Sequence, residues 1–452
     1  MKVHFIAIGG AAMHNLAIAL KEKSYSISGS DDEIFEPSRS RLKKHGLLPD
    51  IAGWFPEKIS KNTDAVILGM HAKKDNPELE KALSLNIPVY SYPEYLYKQT
   101  KDKKRLVIAG SHGKTTITSM VMHVLRKKGL DFDYMVGAKI EGFDTMTSLS
   151  EDAEIAVFEG DEYLSSPIDM KPKFLWYKPH AAVITGIAWD HANVFPTEQM
   201  YVEQFRKFIN SIQPGGKLFY YRQDIHIHSL INENANKVSF IPYDALPYTI
   251  QNGRVWIQTD RGKFPVSVFG HHNIQNIEAA RLICTEAGLN DEFFYKALQD
   301  FRGAARRLQL LAENKSTSVY LDFAHAPSKV KATCHAVKEQ YPDKKLIACL
   351  ELHTFSSLSK DFIPQYANSM AAADEACVYF NHSVVEHKNL PALDTKFIEK
   401  AFHTPIEVFT DSDALMDELH NKQMDNTVLL IMTSGSFDGR DLQSVAESIT
   451  RK

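Results

Sequence analysis

The chain has 452 residues, enough for two to four domains with separate hydrophobic cores. Charged side chains make up 24% of it and the formal net charge is -4, so no strong field draws it to nucleic acid or to an anionic membrane. Its opening, MKVHFIAIGG, enters a strand pattern with no signal-type apolar core, and no later run is apolar enough to span a bilayer. A cytoplasmic location with no membrane partner is therefore expected. Cys284, Cys334, Cys349 and Cys377 lie apart in apolar segments, as reduced core thiols rather than a disulfide frame or a zinc site.

Strand and helix patterns alternate along the whole chain, which predicts an α/β protein. Residues 3–8 read as a strand, followed by a Gly9-Gly10 turn and a helix with Met13, Leu16, Ala17 and Leu20 on one face. Further strands are expected at 25–28 and 65–68, completing a small doubly wound unit. The turn resembles a dinucleotide fingerprint, but G-x-G-x-x-G would need glycines where Ala7 and Ala12 stand. The charged stretch KQTKDKKR at 98–105 breaks the pattern before a fresh strand at 106–109, and a third restart follows FRGAARR at 301–307. Three domains are expected: 1–102 and 311–452, both Rossmann-like, around a central phosphate-loop ATPase domain at 103–310 with a mostly parallel sheet.

AGSHGKTTITS, residues 109–119, carries the strongest chemical signal. A strand precedes it, and a helix follows with Ile117, Met120, Val121, Val124 and Leu125 along one stripe, ending near Gly129. Backbone N–H groups from Gly110 to Lys114 can wrap phosphate oxygens at the positive end of that helix. Lys114 would reach the β and γ phosphates, and the Thr115 hydroxyl could bind Mg²⁺. The loop is a shortened G-x-x-G-K-T variant.

A second apolar strand at 154–158 ends in EGDEY, which makes Glu159 a candidate ligand for a hard cation and Glu162 a weaker one. A solvated acidic turn is the alternative. The segment AAVITGIAWDH places Asp190 and His191 at another strand end, with a structural histidine as the other reading.

In order along the chain stand IGGAAM, GSHGKTT, EGDE, an Asp190-His191 pair, GHHNIQN at 270–276, Arg306-Arg307 and LDFAHAP at 321–327. This series resembles the Mur ligase family, the ATP-dependent amide-forming enzymes of peptidoglycan precursor synthesis, over essentially the whole length. The resemblance implies that Gly110, Ser111, His112, Gly113, Lys114, Thr115 and Thr116 hold the ATP phosphates, with Lys114, Glu159 and His191 as catalytic residues. It likewise implies Mg²⁺ on Thr115, Glu159 and His191, adenine-side contacts from Asn273 and Asn276 with His272 nearby, and nucleotide contacts from Arg307 and Asp322. Gly9, Gly10, Ala11, Ala12, Met13, Ser30 and Asp31 would then grip the pyrophosphate of a UDP-sugar. Lys207 lies in about the helix where some members carry a carbamylated lysine.

Within the family, the amino terminus is similar to the branch that takes UDP-N-acetylmuramate itself. MTSGSFDG at 432–439 and the D-E-Y at 161–163 are similar to the branch that adds a recovered murein tripeptide, L-alanyl-γ-D-glutamyl-meso-diaminopimelate. ELHTFSSL at 351–358 departs from that branch's E-P-R-S-N-T and partly resembles the P-H-R-Y-T-R of the L-alanine-adding branch, with His353 and Ser356 as contacts. Ala326, Leu321 and Gly186 also depart from the common motifs. The tripeptide is the favoured amine substrate and L-alanine the alternative. Remoter readings are a nicotinamide oxidoreductase, with Asp31 at about the ribose-acid spacing, and a non-catalytic UDP-sugar sensor.

Overall fold

A computed structural model describes residues 1–189, 194–232 and 238–451. The amino-terminal sheet is parallel, in the order β2-β1-β3-β4, from β1 (Lys2–Ile6), β2 (Ser26–Ser30), β3 (Ala65–Leu68) and β4 (Val89–Ser91). The central sheet contains β5 (Lys104–Ala109), β6 (Phe132–Met135), β7 (Thr147–Ser148), β8 (Ile155–Glu159), β9 (Ala181–Ile184), β10 (Lys217–Tyr221) and β11 (Ser239–Tyr243). Its order is β11-β10-β9-β5-β8-β6-β7, parallel except for β7 at the edge. An antiparallel three-stranded sheet follows, β12 (Tyr248–Gln251), β13 (Arg254–Thr259) and β14 (Gly262–Val266). The last sheet has β15 (Gln309–Glu313), β16 (Ser318–Asp322), β17 (Lys345–Glu351), β18 (Glu375–Tyr379), β19 (Glu407–Phe409) and β20 (Thr427–Met432) in the order β15-β16-β20-β17-β18-β19, with only β15 antiparallel.

This is the mixed α/β architecture that the alternation of patterns predicts. The continuous apolar run TVLLIM is buried at every position of β20, as expected for a strand covered by helices on both faces. All four cysteines are buried and free. Among the described residues, no helix is long and apolar enough to cross a membrane.

Two local expectations need adjustment. β1 ends at Ile6 rather than residue 8, because Ala7 turns into the left-handed region (φ +66°) to start the glycine turn. The strand expected from residue 106 starts at Lys104, inside the charge run at 98–105, whose first residues end the helix Tyr92–Thr100. Lys103 pairs with buried Asp133 at 2.6 Å, and the buried Arg105 guanidinium donates to the carbonyls of Thr100, Lys101, Lys103 and Tyr177.

The chain divides into two compact units. The first comprises Met1–Ile187, Gln199–Asp244 and Ala279–Phe294, and therefore holds both the amino-terminal and the central sheet. Within it, Asn15 on the first helix accepts the Met146 N–H at 2.9 Å, and Arg41 donates to the Asp144 carbonyl at 2.9 Å. The second comprises Ala188–Glu198, Ala245–Glu278 and Tyr295–Lys452, with the antiparallel and carboxy-terminal sheets.

Candidate active site

In the central sheet β5 is the strand from which the order runs both ways, and ligands of open α/β sheets bind at such a switch point, beyond the strands' carboxyl ends. The loop 110–113 leaves β5 there. Gly110 has φ +120°, and Gly113, at φ +75°, caps the helix Lys114–Lys128, which closes on a second left-handed glycine, Gly129. The first-turn amides of that helix lack intrahelical acceptors and carry the positive end of its dipole. Thr185, just past β9, donates to the His112 carbonyl at 2.5 Å, and Ser111 N–H donates to Gly186 O at 2.9 Å.

Lys114 donates to Gly110 O and to Glu162 Oε2, both at 2.7 Å. Its ammonium is held above the usual lysine range despite burial, by the Glu162 carboxylate first and then Asp161. Asp161 is in turn paired with Lys173 at 2.6 Å, an ammonium that keeps this half-buried carboxyl below its ordinary range against the opposing effect of desolvation. Glu162 also accepts from the buried Tyr201 hydroxyl at 2.9 Å.

Thr115 Oγ1 donates to Glu159 Oε1 at 2.8 Å, and the other oxygen of Glu159 accepts the Gly137 N–H at 2.8 Å. Two hard oxygens at this separation fit adjacent vertices of a Mg²⁺ octahedron, which lie about 3 Å apart for metal–oxygen distances of about 2.1 Å. The pair therefore suits the implied cation. Asp190 and His191 lie outside the described residues. Among the described residues, no three His, Cys, Asp or Glu side chains gather into a self-sufficient metal site. Lys207 is exposed on the helix Glu198–Ser211.

The glycine turn expected to hold a pyrophosphate sits at the end of β1. Gly10 caps the helix Ala11–Glu22, so Ala11, Ala12 and Met13 form its first turn. The Gly9 N–H donates to Asp31 Oδ2 at 2.7 Å, and a β-carbon on Gly9 would stand 2.9 Å from that oxygen. Ser30 is fully buried, its hydroxyl 3.3 Å from Lys58 Nζ. Burial pushes the Asp31 carboxyl up to about 6; the Gly9 N–H opposes the rise and neighbouring Asp32 adds to it. Since the folded value lies above the ordinary 3.8, the unfolded chain releases this proton first, and stability falls as pH rises through the window from 3.8 to about 6. Asp31→Asn copies the protonated acid. Melting temperatures across that window should show the variant gaining on the parent protein as pH rises, then keeping a constant lead.

In the second unit, His272, Asn273 and Asn276 occupy the start of the helix His271–Glu286. Asn273 donates to Phe269 O at 2.9 Å and Asn276 to Asn273 Oδ1 at 3.3 Å; burial, with His271 beside it, lowers His272 to about 4 and keeps it neutral. Asp322 ends β16 with its two carboxylate oxygens taken by the N–H groups of Leu308 and Ala324, each at 2.7 Å. Arg307 lies 4.6 Å over the Phe323 ring.

At the same sheet edge the buried Glu351 accepts from the Thr433 hydroxyl and from the Phe437 N–H at 3.1 Å. Arg306 donates to the carbonyls of Thr433 at 3.1 Å and Gly435 at 2.7 Å, which fixes the other side of that loop. Phe437 and Asp438 both have positive φ, +46° and +59°, and Asp438 accepts from Tyr379 and Asn381. His353 stands 3.7 Å from Glu351, and Ser356 is buried in a short 3-10 turn.

Three family descriptions match in succession: "Mur ligase family, catalytic domain" over residues 2–104, "Mur ligase middle domain" over 108–284 and "Mur ligase, glutamate ligase domain" over 306–435. A UDP-N-acetylmuramate--L-alanine ligase of Carboxydothermus hydrogenoformans is 30% identical over 409 residues, covering 88% of this chain and 85% of the relative. The chain belongs to the Mur ligase family. It is thus an ATP-dependent, ADP-forming amide ligase. A UDP-N-acetylmuramate--L-alanyl-gamma-D-glutamyl-meso-2,6-diaminoheptandioate ligase of Escherichia coli K12 is 26% identical over 449 residues, covering 97% of this chain and 96% of that one. The fold is shared with the UDP-N-acetylmuramate-alanine ligase of Thermotoga maritima, at TM-score 0.72 and 19% identity over 100% of this chain and 99% of the other.

In this Mur ligase the first unit brings together Lys114, Thr115 and Glu159 as the motifs suggest, and adds Glu162 on Lys114. Sequence reasoning missed Tyr201, Glu351 and the role of Arg306. Glu351 had a signal, a carboxylate closing an apolar strand; Tyr201, on a helix of ordinary amphipathic pattern, had none.

Proposed function

We propose that this ligase joins L-alanyl-γ-D-glutamyl-meso-diaminopimelate to UDP-N-acetylmuramate. The observation that carries the reading is the Glu351–Phe437 link. It ties the strand end that opens ELHTFSSL to the loop GSFDG, the segment through which this sheet edge resembles the tripeptide-adding branch. The left-handed backbone at Phe437 and Asp438 makes this loop a built feature of the sheet edge rather than a random connection. L-Alanine is the second reading, favoured by His353 at the histidine of the alanine branch's motif and by the alanine-adding relative at 30% identity.

The amides of 110–116 and Lys114 would hold the ATP phosphates, while the turn at Gly9 and Gly10 would hold the UDP pyrophosphate. The lactyl carboxylate of the sugar nucleotide attacks the γ-phosphorus, the bond to ADP breaks, and an acyl phosphate forms. The neutral amine of the acceptor then attacks the acyl carbon, and phosphate leaves as the amide forms and the amine loses a proton. Thr115 and Glu159 would hold Mg²⁺, which supplies charge neutralisation between the meeting anions. Lys114 orients the transferring phosphoryl group and offsets the charge spreading over it, so positioning and electrostatics do most of the work.

Incubation with ATP, Mg²⁺ and UDP-N-acetylmuramate, offering tripeptide and L-alanine in parallel, tests the assignment by product mass. A higher kcat/KM for the tripeptide is expected. Preference for L-alanine would replace the tripeptide reading and leave the family untouched.

A further inference from the structure

We propose that Tyr201 is a positioning residue for the phosphate-binding ammonium of Lys114, acting through Glu162. This rests on the reading that loop 110–116 carries the ATP phosphates.

An ammonium has three donors and a long flexible stem, so its aim depends on what occupies two of them. In Lys114 two go to Gly110 O and Glu162 Oε2, each at 2.7 Å, and the third is left for a phosphate oxygen. Gly110 O is fixed by the loop. Glu162 is fixed at its other oxygen by the Tyr201 hydroxyl at 2.9 Å, and that hydroxyl lies 3.0 Å from Ser111 Oγ in the loop itself.

A phenol has one proton to give. Because an ionised Glu162 only accepts, the Tyr201 proton goes to it, and Ser111 donates to the Tyr201 oxygen. The result is a directional chain, Ser111 to Tyr201 to Glu162, with Lys114 donating to the far end. The Tyr201 ring is fully buried and packs edge-on to Phe205 at 5.3 Å, which holds the hydroxyl in place. Packing alone would be served by phenylalanine; the hydroxyl is what links the helix Glu198–Ser211 to the loop and the carboxylate.

The test is a titration of the full chain, in Mg²⁺, with a non-hydrolysable ATP analogue (AMP-PNP), using UDP-N-acetylmuramate affinity as the control for folding. Tyr201→Phe should weaken AMP-PNP about fivefold, the scale of one hydrogen bond to a charged group only partly transmitted, and leave UDP-N-acetylmuramate affinity unchanged. In a Glu162→Ala background the same change should have no further effect, since the hydroxyl then has no carboxylate to aim. An equal loss in both backgrounds would show that Tyr201 acts through packing or Ser111 rather than through Glu162 and overturn the proposal, as would unchanged AMP-PNP affinity in Tyr201→Phe. AMP-PNP affinity insensitive to Lys114→Ala would instead sink the phosphate-loop reading itself.

Discussion

Replacing Lys114 with alanine is expected to lower kcat by about 10³-fold, the scale seen when one preorganised charge-stabilising donor is removed, while UDP-N-acetylmuramate binding stays intact. The loss follows from geometry: the ammonium is a cation fixed beside the loop proposed to receive the phosphates, with two acceptors setting its direction. The two phosphate turns follow different sheets, β1 in one case and β5 in the other, so the sugar nucleotide does not depend on this side chain. Stability should fall too. Glu162 is almost fully buried, and losing this ammonium from a buried ion pair costs about 3 kcal/mol. The double variant Lys114→Ala/Glu162→Gln should recover much of the melting temperature and none of the turnover. Calorimetric titration with UDP-N-acetylmuramate, alongside phosphate release, separates these outcomes. Concurrent loss of both bindings in the double variant would contradict two independent phosphate sites.

Gly110→Ala should be nearly as damaging. At φ +120° an L side chain is strained wherever it stands, and here a β-carbon would overlap Thr185 Oγ1 and approach the Thr185 backbone nitrogen to 2.7 Å. A rotamer change at Thr185 moves the hydroxyl but not the nitrogen, and that nitrogen is tied to Ala109 O at 3.1 Å. The loop has to shift, carrying the Lys114 acceptor Gly110 O with it. We expect about 3 kcal/mol of lost stability from combined strain and overpacking, and AMP-PNP binding weakened at least about 100-fold, since 1.4 kcal/mol corresponds to tenfold in affinity. Gly129→Ala is the matched control. Gly129 also has positive φ, +75°, but a β-carbon there meets nothing within 4 Å, so a cost of about 1 kcal/mol with normal nucleotide affinity is expected.

The phosphate loop was legible because its chemistry is local: glycines for a backbone that must bend left-handed, a lysine and a hydroxyl at fixed offsets, and a helix stripe that Ile117, Met120, Val121, Val124 and Leu125 all bury. The strand patterns were legible for a similar reason, since β20 and β17 are apolar almost throughout. What the sequence did not disclose are contacts between distant segments. Lys114 meets Glu162 across 48 positions and Glu351 meets Phe437 across 86, pairings that only the sheet order brings about. The run KQTKDKKR shows the same limit for charged side chains. Lys103 and Arg105 satisfy buried carboxylate and carbonyl groups that hydropathy cannot see.

The links from Asn15 to Met146 and from Arg41 to Asp144 lie within the compact unit that holds both the Gly9-Gly10 turn and the loop at 110–113. Under the proposed reading, substitutions around Glu351, His353 and Asp438 are expected to change which amine is accepted while UDP-N-acetylmuramate affinity stays unchanged, as titration with that sugar nucleotide would read. If so, exchanging alanine for a peptide as acceptor asks for edits along one sheet edge, where Glu351, Thr433 and Phe437 already meet.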